Sequence, residues 1–142
     1  MPLWQIYHPE KAFSDEDKQA IAQHVTDMYE SFMLPRFYVN VFFHALPKTS
    51  FYIGGEPCDD FVRVTIDHIA RAIKDAETQQ KFLKGCTRLL NPYVAGRGLR
   101  WELNVDDTPF EQWIVNGFKP PLPNTPAEIR WRSENRPSAY ET

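Results

Sequence analysis

Two short stretches hold residues whose types and spacing could do chemistry. The chain opens "MPLWQIYHP", with a proline directly behind the initiator methionine. Methionine is usually trimmed when a residue as small as proline follows, and trimming would leave Pro2 as a secondary amine at the chain terminus. Such an amine near neutrality can take a proton from carbon or attack a carbonyl. Proline is equally tolerated as the plain first residue of a strand, where its missing N–H does no harm. The second stretch is "RVTIDHIAR". If Asp67 caps a helix, His68 and Arg71 lie three apart on its first turn and share a face. Free helix N–H groups, an arginine and a histidine together favour a carboxylate. Asp67, Arg71 and Asp75 are also spaced as a solvated ion-pair row would be.

The elements that must position these residues follow from hydrophobic period. Residues 2–7 alternate as a strand. Ser14, followed by Asp15, Glu16 and Asp17, starts a helix whose Ile21, Val25, Met28, Tyr29 and Phe32 share one face and which ends before Pro35. The aromatic and β-branched run Phe37 to Ala45 predicts a strand, and "FYIGGEP" a short extended piece entering a glycine turn. The plan then repeats. Phe61 to Ile66 reads as a strand, about His68 to Leu90 as a helix, and Leu99 to Val105 as a last main strand. Thr108-Pro109 begins a short helix. Pro120, Pro121, Pro123 and Pro126 mark a tail, in which "PAEIRWRSEN" predicts a terminal helix docked through Trp131.

This β-α-β-β-α-β outline predicts an α+β, two-layer fold, with a four-stranded sheet and two helices on one face. The expected domain spans 1–121, as two β-α-β units at about 2–57 and 58–106 plus the short helix, and 122–142 forms the proline-rich tail. A sheet covered on one side leaves an apolar face that oligomers bury. Trp4, Trp101 and Trp113 read as core. Pro2 and His68 would stand on opposite rims if the first and third strands ran parallel. Antiparallel pairing, or a neighbouring subunit, would bring them together, and spacing leaves both open.

Composition narrows the function classes. The 142 residues carry a formal charge of −3, so no basic face invites nucleic acid. No run approaches the ~18 apolar residues of a membrane span, and no signal-peptide pattern precedes the first strand. Cys58 and Cys86 make neither a disulfide framework nor a zinc site, and they fit a reduced, cytoplasmic setting. Four histidines lack metal-ligand spacing, so no metal site is expected.

"PLWQIYHP", "FYVNVFF", "FYIGGEP", "FVRVTIDHIAR" and "WELNVDDTPFEQWIVNGFKPP" together resemble the tautomerase superfamily over residues 2 to 121. Within it the chain is most similar to the cis-3-chloroacrylic acid dehalogenase branch and its fungal oxalocrotonate-tautomerase-like proteins. The resemblance implies a four-stranded mixed sheet, its two β-α-β units running antiparallel to each other, with the terminal proline and the second-unit residues at one end of the sheet. It implies a homotrimer, a small carboxylate substrate, a catalytic Pro2, and Arg71 as one of two arginines holding that carboxylate. The other arginine falls on His68. The dehalogenase's histidine falls on Tyr29, its tyrosine on Leu103 and its water-activating glutamate on Val115, so dehalogenation lacks its usual helpers. Keto–enol chemistry needs only a base and an anion clamp, and is less affected.

Pro2 and Tyr29 are therefore the expected catalytic pair, with Tyr29 donating a proton to the enolate oxygen. Arg71, His68, Tyr38 and Asn104 are the expected substrate contacts, and Asn40 reads better as an outward-facing strand residue. Burial and a nearby Arg71 would lower the amine from its reference of about 7.7–8.0. The leading expectation is a cofactor-independent tautomerase-like enzyme for small 2-oxo or α,β-unsaturated acids. Two alternatives stand beside it: a non-catalytic trimeric small-molecule-binding or interaction protein on the same scaffold, and a ferredoxin-like cofactor-free monooxygenase dimer.

Overall fold

The computed structural model describes residues 1–141; Thr142, the end of the expected tail, lies outside them. Strand β1 (Pro2–Pro9) buries Pro2, Trp4, Ile6 and His8 on one face, and its alternate residues are half-buried on the other. Helix α1 (Asp15–Ser31) starts in a reciprocal capping box: the Ser14 hydroxyl accepts from the Asp17 N–H, and the Asp17 carboxylate accepts from the Ser14 N–H. It buries Ile21, Val25 and Tyr29. Strand β2 (Asn40–Leu46) lies parallel to β1.

A hairpin of β3 (Tyr52–Ile53) and β4 (Glu56–Pro57) turns through Gly54 and Gly55, whose φ values of 59° and 85° favour glycine. The second unit comprises β5 (Phe61–His68), α2 (Ala76–Leu90) and β6 (Arg100–Asp107). Helix α3 (Pro126–Glu134) closes the chain.

The four-stranded sheet has the order β2-β1-β5-β6. Each unit pairs its own strands in parallel, and the two units meet where β1 runs antiparallel to β5. The expected α+β sheet is therefore the observed one. Core residues Trp4, Ile6, Val62, Val64 and Ile66 on the sheet pack with Ile21, Val25, Phe82, Cys86 and Leu90 of the helices. The bidentate pair of Arg97 with Asp17, at 2.9 Å, joins the loop after α2 to the first turn of α1.

Three expected elements differ in start or in kind. The second strand begins at Asn40 rather than Phe37, because Pro35 starts a single 3₁₀ turn over Arg36–Tyr38 that buries Tyr38. The short helix after Thr108-Pro109 is one 3₁₀ turn, Phe110–Gln112. The second helix begins at Ala76 rather than near His68. There the Asp75 carboxylate accepts from the Thr78 N–H, while β5 continues to His68 by pairing on both sides, with Pro2 and with Asp107. Asp67 is thus a strand residue accepting from the Thr108 hydroxyl at 2.8 Å, not a helix cap. Trp4 and Trp113 are core, while Trp101 is half-buried. Trp131 of α3 is fully buried against Phe37, Phe118 and Tyr140, so the terminal helix docks as its sequence predicts.

Candidate active site

Antiparallel pairing answers the question of rims. Pro2 and His68 are direct cross-strand partners, both buried on the helix-covered face. A cavity of about 550 Å³ opens beside them between the end of α1 and the length of α2. Its polar lining includes His68, Arg71 and Tyr29; its apolar walls include Met28, Phe32 and Phe82. Met1 also lines it, and its carbonyl accepts from the Ile69 N–H at 3.1 Å. The terminal α-amine is pushed down to about 4, first by burial, then by the Arg71 guanidinium, against the opposing carboxylates of Asp67 and Glu128.

The polar side chains form a directed chain. The Trp4 indole can only donate, and it donates to the Tyr29 oxygen at 3.0 Å. Tyr29 has one proton of its own, which goes to His68 Nε2 at 2.6 Å. An accepting Nε2 leaves the imidazole proton on Nδ1, and that atom is buried with no partner. Burial lowers the His68 pKa from 6.5, so the neutral ring is the stable form. His68 is therefore a neutral N–H donor rather than a second cation. Tyr29 orients it, and burial drives the phenol further from ionisation.

Arg71 is not on a helix. It lies in the 69–75 loop before α2, so the free N–H groups of α2 do not share its position. Its Nη2 donates to Glu128 Oε1 at 2.6 Å, and its Nη1 is buried without a partner. Glu128, only 1% exposed, also accepts from the Asn124 N–H at 3.0 Å. Sequence reasoning missed Glu128. The run Thr125–Glu128 carries the hydroxyl-to-acid spacing of a helix start, but nothing local aims that acid at a residue 57 positions away.

The remaining expected contacts divide. Tyr38 is buried against Trp113 with its hydroxyl unpartnered, and it does not line the cavity. Asn104 pairs with Thr65 on the sheet's other face, where its amide oxygen accepts from Arg63. The Asn40 amide donates to the Tyr38 carbonyl. Leu103 is half-buried in β6, and Val115 bridges to Phe118. Among the described residues no cluster of three or more His, Cys, Asp or Glu could hold a metal, and no helix is long and apolar enough to cross a membrane.

A family model described as "Putative oxalocrotonate tautomerase enzyme" matches residues 1–136. The chain belongs to this tautomerase family. Among solved structures, native RhCC from Rhodococcus jostii RHA1 is 39% identical with a TM-score of 0.94, over 97% of this chain and 99% of that one. A protein described as a "probable enzyme" from the thermophilic fungus Aspergillus fumigatus is 38% identical, with a TM-score of 0.94 over 99% and 98%. N1, a member of the cis-3-chloroacrylic acid dehalogenase family, shares the fold at 18% identity and a TM-score of 0.72, over 91% and 89%. No curated protein sequence matches this tautomerase-family chain.

Proposed function

We propose that the protein is a cofactor-independent tautomerase-like enzyme acting on 2-oxo or α,β-unsaturated carboxylic acids through the secondary amine of a trimmed Pro2. The observation that carries this reading is the cross-strand pairing of Pro2 with His68 at a cavity that also takes in Arg71. Removal of Met1 would move the terminal amine one residue back, to the strand end facing the same apolar walls and the same guanidinium. Both disfavour the ammonium form and keep the amine available as a base.

The chemistry follows from the groups present. Arg71 Nη1 holds the substrate carboxylate. The Pro2 nitrogen takes a proton from C3 of a 2-oxo acid, the C–H electron pair becomes the C2–C3 double bond, and charge collects on the C2 oxygen. His68 Nδ1–H donates to that oxygen, with Tyr29 and Trp4 fixing the tautomer. Return of the proton to carbon completes the cycle. Attack of the same amine on the carbonyl, giving an iminium, is the nucleophilic variant.

The binding-protein alternative draws support from Arg71 already having Glu128 as a partner. Exposed Phe32, Met33, Phe42, Ile114 and Leu122 support assembly into a homotrimer, which sedimentation analysis tests. Two reduced, buried cysteines support a cytoplasmic setting.

The deciding experiment is intact mass of natively expressed protein, then labelling with a small halogenated propiolate and peptide mapping. A mass lacking methionine and a label on Pro2 are expected. Retained Met1, or a trimmed but unlabelled Pro2, overturns the enzyme reading in favour of the binding protein.

A further inference from the structure

Gly85 stands in the interior of α2, where glycine weakens a helix relative to alanine. Its φ is not positive, and a Cβ built on it meets no atom within 4 Å. Neither backbone conformation nor a close neighbour calls for glycine there. What its missing side chain leaves is space, and Gly85 lines the cavity beside Pro2.

The cavity is also long. On α2 it touches Asp75, Thr78, Lys81, Phe82, Gly85 and Arg88, a stripe at helical spacing that runs for about 20 Å along the axis. Opposite this stripe stand Met28 and Phe32 of α1. Its 550 Å³ falls within the roughly 300–1,000 Å³ of pockets that enclose drug-sized ligands, far more than a three-carbon acid fills. Among lining residues the cations Arg71, Lys74, Lys81 and Arg88 face a single carboxylate, Asp75. Asp75 is occupied in capping α2, and Lys81 is exposed and paired with Glu77 at 3.1 Å. Arg71 alone is a cation with a buried, unpartnered N–H.

We propose that this site takes a monocarboxylate with an elongated apolar tail, its head on Arg71 and its tail lying between α1 and α2 past Phe82 toward Gly85. The proposal rests on the enzyme reading for the place of the head, and departs from the compact acids the sequence suggests.

Calorimetric titration of the full chain with acetate, butanoate, hexanoate and octanoate tests this without any catalytic step. Affinity is expected to rise about fourfold per methylene. Gly85→Leu places a side chain in the open space and favours the helix. It is expected to weaken octanoate about tenfold or more while leaving butanoate within about twofold and Tm no lower. Gly85→Ala, the smaller change, should show an intermediate loss. An affinity series flat in chain length, or octanoate binding unmoved by Gly85→Leu, overturns the proposal. Deuterium exchange at C3 of pyruvate and 2-oxooctanoate separates the two claims. Chain-length-dependent binding without exchange sinks the enzyme reading alone, and exchange with a flat binding series sinks this proposal alone.

Discussion

Replacing Glu128 by glutamine removes a buried charge at nearly constant volume. The carboxylate is 1% exposed, and its Oε1 serves both Arg71 Nη2 at 2.6 Å and the Asn124 N–H at 3.0 Å. Removing one partner of a buried ion pair costs about 3–5 kcal/mol, because the other charge is left uncompensated. Two features reduce this figure. The Arg71 side chain is 25% exposed, so water recovers part of its solvation, and a glutamine oxygen can still accept from Asn124. The expected loss for Glu128→Gln is about 2–3 kcal/mol. Urea unfolding followed by tryptophan emission reads it as a lower midpoint at unchanged slope. The double change Arg71→Met with Glu128→Met removes both charges and should lie closer to the parent than Glu128→Gln does. A loss under about 0.5 kcal/mol for Glu128→Gln would class the pair with solvated surface bridges and refute its treatment as a buried ion pair.

Other expectations follow from the same geometry. Tyr29→Phe strands the Trp4 indole N–H and frees His68 Nε2, so it should cost about 1–3 kcal/mol in the same unfolding assay. Nitrogen NMR of His68 should then show the loss of its single tautomer, and an unchanged spectrum would contradict the directed chain. Ser14→Ala breaks the capping box of α1 and should lower stability by about 1 kcal/mol, a parent-like midpoint being the contrary result. Stability should fall as pH falls below 8. In the chain that keeps Met1, the α-amine has its ordinary value of 8.0 unfolded and about 4 folded, so the unfolded state binds the proton first. Below 6.5, His68 and His8 join it, both lowered chiefly by burial, and the slope should steepen toward its limit of about 1.4 kcal/mol per pH unit per group. Melting temperatures measured from pH 8 to 5 check this, and a flat profile would show that these groups protonate freely in the folded state.

The α+β outline was legible because it is written in local periods. Pro2, Trp4, Ile6 and His8 alternate along β1, Val62, Val64 and Ile66 along β5, and Ile21, Val25 and Tyr29 recur at helical spacing behind a Ser14 cap. Pro2, His68, Arg71 and Tyr29 could be named as chemical candidates from their types and places in the chain, and all four line one cavity. The element holding His68 and Arg71 could not be fixed locally. Ile69 and Ile73 mimic a helical repeat, but pairing of His68 with both Pro2 and Asp107 extends the strand, and Asp75 supplies the cap seven residues later.

Tertiary structure alone decided the rest, because each remaining feature depends on atoms far apart in sequence. Antiparallel meeting of the two units put Pro2 opposite His68. Trp4, reaching across 25 positions to Tyr29, set which nitrogen of His68 carries the proton. Docking of α3 through Trp131 delivered Glu128 to Arg71, and register with Thr65 of β5 put Asn104 on the sheet's other face. A sequence states which groups can bear charge or donate a proton; burial and partners, which choose among those states, exist only once the chain has closed on itself.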